Sequence, residues 1–119
     1  MKIKLDEIVK SANSLKELLK VKFPVKISYR LTRIADKVSK ELETFYKSKQ
    51  DLLEKYGKEE EKDGKQFYSF EAEQAKLFTK ELEDLLSLEV EIDFELIKLS
   101  EVGELDIEPA LLISYIFTE

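Results

Sequence analysis

Residues 25–56 read VKISYRLTRIADKVSKELETFYKSKQDLLEKY, and this stretch decides the fold. Ile27, Leu31, Ile34, Val38, Leu42, Phe45, Leu52 and Tyr56 recur at intervals of mostly three and four, with Lys49 as the one interruption. That is the period of a single apolar stripe on an α-helix. Pro24 stands just before the stretch, where its fixed φ opens a helix. Gly57 stands just after it, where a C-cap glycine belongs. A helix of 32 residues is about 48 Å long. That is more than a compact domain of 119 residues needs. Part of the helix is therefore expected to project or to pack against another chain.

The flanks fill in the rest. Lys2-Ile3-Lys4-Leu5 alternates with period two and reads as a short edge strand. Asp6 is the expected N-cap of a first helix to about Lys20, with Ile8, Ala12, Leu15 and Leu19 at helical spacing. Beyond Gly57, Lys58 to Lys65 is a charged loop holding Glu59-Glu60-Glu61 and the hairpin signal Asp63-Gly64. Gln66-Phe67-Tyr68-Ser69-Phe70 is a candidate strand, whereas the acidic flank is a poor partner for it.

A third helix is expected from about Glu71 to Ser87, with Ala75, Phe78, Leu82 and Leu85 facing inward. Leu88 to Leu96 alternates cleanly between apolar and acidic residues and is the clearest strand, continuing toward Leu99. Asp106 is the expected cap of a last short helix, with Pro109 in its first turn and Leu111, Leu112, Tyr115 and Ile116 as anchors. The expected fold is α+β: one domain, 1–119, in which a long antiparallel helical hairpin packs with a small β-sheet built from the N-terminal strand and residues 88–99.

Composition narrows the function classes. Charged residues make up 39%, against a usual ~25%. The chain holds no Cys and no His. That excludes thiolate and imidazole zinc sites, disulfides, thiol nucleophiles and His-based triads. No run approaches the ~18 apolar residues of a membrane span, and the N-terminus lacks the apolar core of a secretory signal. A cytosolic, or virion-borne, soluble protein is the expectation.

The charges are sorted along the chain. Residues 1–49 hold 13 Lys/Arg and 6 Asp/Glu, a balance of +7. Residues 50–119 hold 7 Lys/Arg and 20 Asp/Glu, a balance of −13. Such a split produces a surface of two signs, or two halves that fold onto each other.

Two constellations follow from it. Lys26, Arg30, Arg33, Lys37 and Lys40 are spaced 4, 3, 4 and 3, which sets them within about 80° on one helix. This basic stripe suits an acidic protein surface, or phosphates; its bland reading is a solvated or internally paired face. Asp36 lies at its edge, and Asp51 extends its line with the opposite sign. Glu89, Glu91, Asp93 and Glu95 form an acidic ladder with a repeat of ~6.6 Å. Such a row can imitate a phosphate backbone and occupy the cationic groove of a nucleic-acid enzyme. A straight ladder does not converge as metal ligands must, and its bland reading is the solvent face of an amphipathic strand.

The apolar run Ala110 to Phe117 is read as a core-capping helix, with docking to another subunit as the alternative. Tyr46, Tyr56, Phe67, Tyr68 and Phe70 gather at the end of the helical hairpin and become hot-spot candidates if the helix projects. No phosphate-cradling Gly-rich loop or nucleophile motif is present, and any chosen pair of carboxylates on these amphipathic faces is arbitrary. No enzyme activity and no cofactor are expected.

Phe23-Pro24-Val25-Lys26-Ile27-Ser28-Tyr29-Arg30-Leu31 leads into the long charged helix, which ends at Glu54-Lys55-Tyr56-Gly57 before the Asp63-Gly64 turn. Glu89-Val90-Glu91-Ile92 and a tail beginning Ile107-Glu108-Pro109 close the chain. This order resembles small orphan proteins of tailed bacteriophages and prophages of Gram-positive bacteria, over some 80 residues. The resemblance implies a setting and transfers no site. The leading expectation is a phage accessory protein acting through protein–protein contacts in virion structure or assembly. Its partner would be a second copy or another phage or host protein. An acidic-surface inhibitor of a host nucleic-acid enzyme or defence system is the alternative. A nucleic-acid binder using the stripe at 26–40 comes third and is disfavoured by the net charge of −6.

Overall fold

The structure is a computed structural model that describes residues 2–102 and 113–118. In chain order its elements are β1 (Lys2–Lys4), α1 (Leu5–Leu18), α2 (Val25–Tyr56), β2 (Lys58–Lys62), β3 (Lys65–Ser69), α3 (Ala72–Leu86), β4 (Glu89–Glu91), β5 (Ile97–Lys98), α4 (Leu99–Val102) and β6 (Phe117–Thr118). The architecture is α+β, as the sequence predicts. It is built on one long helix and three two-stranded ladders.

α2 organises two different regions. Its buried residues are Ile27, Leu31, Ile34, Ala35, Val38 and Phe45. All but Phe45 belong to one cluster with Ile8, Leu15 and Leu18 of α1, with Ile3 of β1, and with Ile92, Ile97, Val102, Ile113, Tyr115, Ile116 and Phe117. This head holds the core. Antiparallel pairing of β1 with β4 sets Lys2 opposite Glu91, Ile3 opposite Val90 and Lys4 opposite Glu89. β5 pairs in parallel with β6, and the Ile97 amide donates to the Ile116 carbonyl at 2.7 Å.

Beyond Phe45 the helix leaves the head. β2 and β3 form a hairpin there, and α3 runs back antiparallel to α2, with Lys55 3.4 Å from Glu81. None of the described residues of α3 is buried; Ala75, Phe78, Leu82 and Leu85 face α2, as predicted, but are only half-covered. The molecule is 53 × 33 × 21 Å with a radius of gyration of 17.9 Å, against about 13.5 Å for a compact domain of this length. The long helix does project, as an arm.

Several local expectations are corrected. Asp6 is not an N-cap: α1 starts at Leu5, whose amide donates to the Leu88 carbonyl at 2.8 Å, so strand pairing runs directly into the helix. Asp6 sits in the first turn and pairs with Lys10 at 2.9 Å, which suits the helix dipole. Leu18 rather than Leu19 faces the core: Leu18 is buried in the head cluster, whereas Leu19, still helical in φ and ψ, is exposed. The acidic segment Lys58–Lys62 is a strand after all, paired in register from Lys58↔Ser69 to Lys62↔Lys65. Asp63 and Gly64 take φ of 54° and 77°, the type I′ turn that fixes such a hairpin. Every residue of β2 is exposed, so solvated carboxylates are no obstacle to pairing.

The strand predicted over Leu88 to Leu96 is cut to Glu89–Glu91, because β1 offers only three residues to pair with. Leu88 is consequently exposed rather than inward. The predicted helix over Asp106, Pro109, Leu111 and Leu112 lies outside the described residues. Ile113, Tyr115, Ile116 and Phe117 do cap the core, in a turn and a strand rather than a helix.

Gly57 follows α2 as expected, but with φ −95° it is extended, not left-handed. Space explains the glycine. A Cβ there would stand 2.7 Å from the Leu53 carbonyl oxygen and 3.1 Å from the rings of Phe70 and Tyr68. Gly57→Ala is therefore expected to destabilise by about 1–3 kcal/mol. Gly64→Ala meets no neighbour and loses only the roughly 1 kcal/mol of its left-handed backbone. Urea unfolding of both variants checks this; a Gly57 variant no weaker than the Gly64 variant would refute the packing argument.

Tyr115 gives a second test. Ser11 Oγ lies 2.9 Å from the Ile8 carbonyl and donates its one proton there, so the Tyr115 hydroxyl, 2.5 Å away, is the donor to Ser11. Burial pushes the phenol above its ordinary value. A raised folded pKa favours the protonated form, so this contribution is complete below the unfolded value of about 10. It is lost as pH rises through the folded value. Urea midpoints measured from about pH 8 to about pH 11 should fall at the alkaline end, and Tyr115→Phe should flatten that fall.

Candidate interaction surface

The five cations of the stripe ride on the head half of α2, and the structure divides them. Arg30 and Lys37 are half-buried and turn inward over residues 93–101, whereas Lys26, Arg33 and Lys40 are exposed. Arg30 donates one guanidinium nitrogen to Glu101 Oε2 at 2.6 Å and the other to the Leu96 carbonyl at 3.0 Å. Lys37 donates to the Asp93 carbonyl. Arg33 lies over the Tyr29 ring, 6.0 Å from its centroid. The stripe is thus part clamp and part free face.

The acidic ladder is divided too. Glu89 and Glu91 lie on β4 opposite Lys4 and Lys2. Asp93 and Glu95 fall where pairing has ended and the chain lies along α2. The two charged halves of the sequence therefore meet inside the head. The Arg30 hydrogen bond, with the field of Arg30 and of Lys98, holds the Glu101 carboxyl below the ordinary range.

Where these parts meet they leave a cleft of about 280 Å³. Arg30, Arg33 and Lys37 form one wall, Asp93 and Glu95 the other, and Ile34 and Phe94 the floor. Neither Asp93 nor Glu95 has an ion-pair partner within 4.0 Å among the described residues. A second groove, of about 320 Å³, opens on the arm between α2 and α3. Its floor is Leu52 and Leu85, and Ser48, Asp51, Glu81 and Asp84 surround it. Sequence reasoning missed this groove. Its signal was Asp51 on the line of the stripe, together with Glu81 and Asp84 three residues apart on α3.

The aromatic group at the arm also separates. Tyr46 and Phe67 are exposed, while Tyr56, Tyr68 and Phe70 are half-buried. Phe70 packs on Phe78 with ring centroids 4.9 Å apart, and Gln50 Nε2 donates to the Tyr68 hydroxyl at 2.9 Å. Among the described residues no three His, Cys, Asp or Glu side chains are grouped to hold a metal ion. No described helix is long and apolar enough to cross a membrane.

The Arg30–Glu101 contact has a testable consequence. A depressed folded pKa means that its contribution is present above the unfolded value of about 4.3 and is lost as pH falls through the folded value. Carboxyl-detected NMR titration should place Glu101 below the ordinary glutamate range. Arg30→Gln should raise it toward the ordinary range; an unmoved Glu101 would show that the contact does not form in solution.

Comparison with known protein families, with curated proteins and with solved structures found no match to this chain.

Proposed function

We propose that this is a non-enzymatic accessory protein that acts through protein–protein contacts, in virion structure or assembly of a tailed phage or prophage, in the host cytoplasm or the virion. The arm carries the reading. A helical hairpin about half the length of the molecule stands off a well-packed head, with no described residue of α3 buried and with Tyr46 and Phe67 exposed. Exposed aromatics on a rigid element are the side chains that anchor protein interfaces.

The other readings have less support. Mimicry of a phosphate backbone wants a continuous acidic row, and here Glu89 and Glu91 face lysines while Asp93 and Glu95 turn to the cleft. Nucleic-acid binding wants the stripe free, and Arg30 and Lys37 are engaged within the chain.

Chemical cross-linking in extracts of phage-producing cells, followed by purification through a tag, tests the proposal. A discrete partner protein should be recovered with the native chain. Recovery should drop by about 10-fold or more when Tyr46→Ser and Phe67→Ser are combined. If recovery is the same with the altered arm, the arm is not the contact element.

A further inference from the structure

Ser48, Asp51 and Leu52 lie 18 residues after Arg30, Arg33 and Ile34, respectively. On an α-helix that offset is five full turns, so each pair shares one line along α2, about 27 Å apart. At the first place on this flank the α2 wall of the head cleft is cationic, with Asp93 and Glu95 across from it. At the second the walls are the carboxylates of the arm groove. Both floors are apolar, and the volumes, about 280 and about 320 Å³, are similar. One helix thus presents the exposed cation Arg33 at the head cleft and the carboxylate Asp51 at the arm groove on one side. It also holds them apart, so they cannot meet within one molecule.

The geometry points to a second copy of this chain as the occupant of both clefts, in a two-fold dimer whose α2 helices lie antiparallel along this flank. An axis beside residues 42 and 43 brings Arg33 of one copy onto Asp51 and Leu52 of the other, and repeats the contact by symmetry. Asp93 and Glu95 stand across the head cleft from its cations, and Lys55 stands beside the arm groove on Glu81. This inference rests on the protein–protein reading above and names its partner and face.

Three observations support a covered groove. Leu77 lies one turn before Glu81 on α3 and is 45% exposed. Glu81 Oε2 is shielded from solvent with no hydrogen-bond partner among the described residues; a cation from the partner would supply one. Arg33 is exposed over Tyr29, itself 64% exposed, with no carboxylate bound to it among the described residues. A strip from residue 26 to residue 55 is about 44 Å long. At the width of a helix pair it reaches the roughly 800 Å² per partner of a stable interface.

Light scattering after size exclusion at about 50 mM NaCl should give twice the chain mass of 13.9 kDa, and dimerisation should weaken about 10-fold at about 0.5 M salt. Arg33→Glu with Lys40→Glu, and separately Asp51→Lys with Asp84→Lys, should each weaken self-association about 100-fold. Mixing the two variants should restore a 1:1 dimer. All four side chains are exposed, so circular dichroism should be unchanged. The chain has no cysteine, so a second measurement is open that does not depend on charge reversal. Thr44→Cys, beside the axis, should be joined to itself by a short thiol cross-linker, and Glu43→Cys, 100° around the helix, should not.

A monomer at low salt, a dimer indifferent to both reversals, or reversed variants that fail to combine would each overturn the inference. If the chain is monomeric yet the arm still recovers another protein, only self-docking falls. If neither association is found, the protein–protein reading falls with it.

Discussion

Ile27, Leu31, Ile34 and Val38 follow one another at 4, 3 and 4 residues, and each is at most 5% exposed. The burial of this stripe is the constraint from which the rest of the structure follows. Fully burying an aliphatic side chain stabilises by about 1.5–3 kcal/mol, and no polar contact in the head approaches the sum of four. The stripe therefore fixes the rotation of α2 about its own axis. Once that rotation is set, Arg30 and Lys37 have no choice of position. They emerge at the margin of the core, where residues 93–96 pass, and their donors meet the carbonyls of Asp93 and Leu96. A chain segment without a strand partner thereby gains acceptors for its exposed carbonyls. Because α2 is continuous, the same rotation is carried into the arm, and Asp51 and Leu52 appear there on the flank that Arg33 and Ile34 occupy in the head.

The charge sorted along the sequence is partly matched within the fold. Lys2 and Lys4 stand across the β1–β4 ladder from Glu91 and Glu89, and Arg30 reaches Glu101. Part of the asymmetry is matched in this way inside the head. Ion pairs this exposed contribute little to stability; what they do is select a register and an approach. A β1–β4 pairing slipped by one residue would turn Ile3 outward and bring the lysines to the core face, so cross-strand charge and burial of Ile3 ask for the same alignment.

The readable parts of the sequence were those where a buried face imposes a period. α2 was legible to the residue from its stripe, and α3 to within one residue at each end, because Ala75, Phe78, Leu82 and Leu85 repeat as a helix must. β2 was not legible because its residues bury nothing, so Lys58–Lys62 carries no alternation to detect. The opposite error arose over Leu88 to Leu96. Alternation persists through Leu96, but a strand also needs a partner, and the length of β1 is not encoded in the alternating segment. Gly57 shows a third limit: the same residue at the same position serves either a left-handed cap or a close approach, and only the neighbouring rings of Tyr68 and Phe70 distinguish them. The head cleft was legible in half. The stripe supplied one wall, while the other depends on where the unpaired segment after Glu91 comes to rest.

The head and the arm solve the same problem to different degrees. In the head α2 is covered by α1, the β1–β4 ladder and the 113–118 segment, and its stripe closes. In the arm the same helix meets only α3 and an exposed ribbon, so Leu52, Phe78, Leu82 and Leu85 remain half-covered. Two helices in contact bury one stripe each and leave both flanks of the seam open. The ribbon attends to one flank, where Gln50 holds Tyr68 and Phe70 holds Phe78. The other flank is the groove between Leu52 and Leu85, with the shielded oxygen of Glu81 beside it. Among the described residues nothing closes this second flank, so the arm keeps an open seam where the head does not.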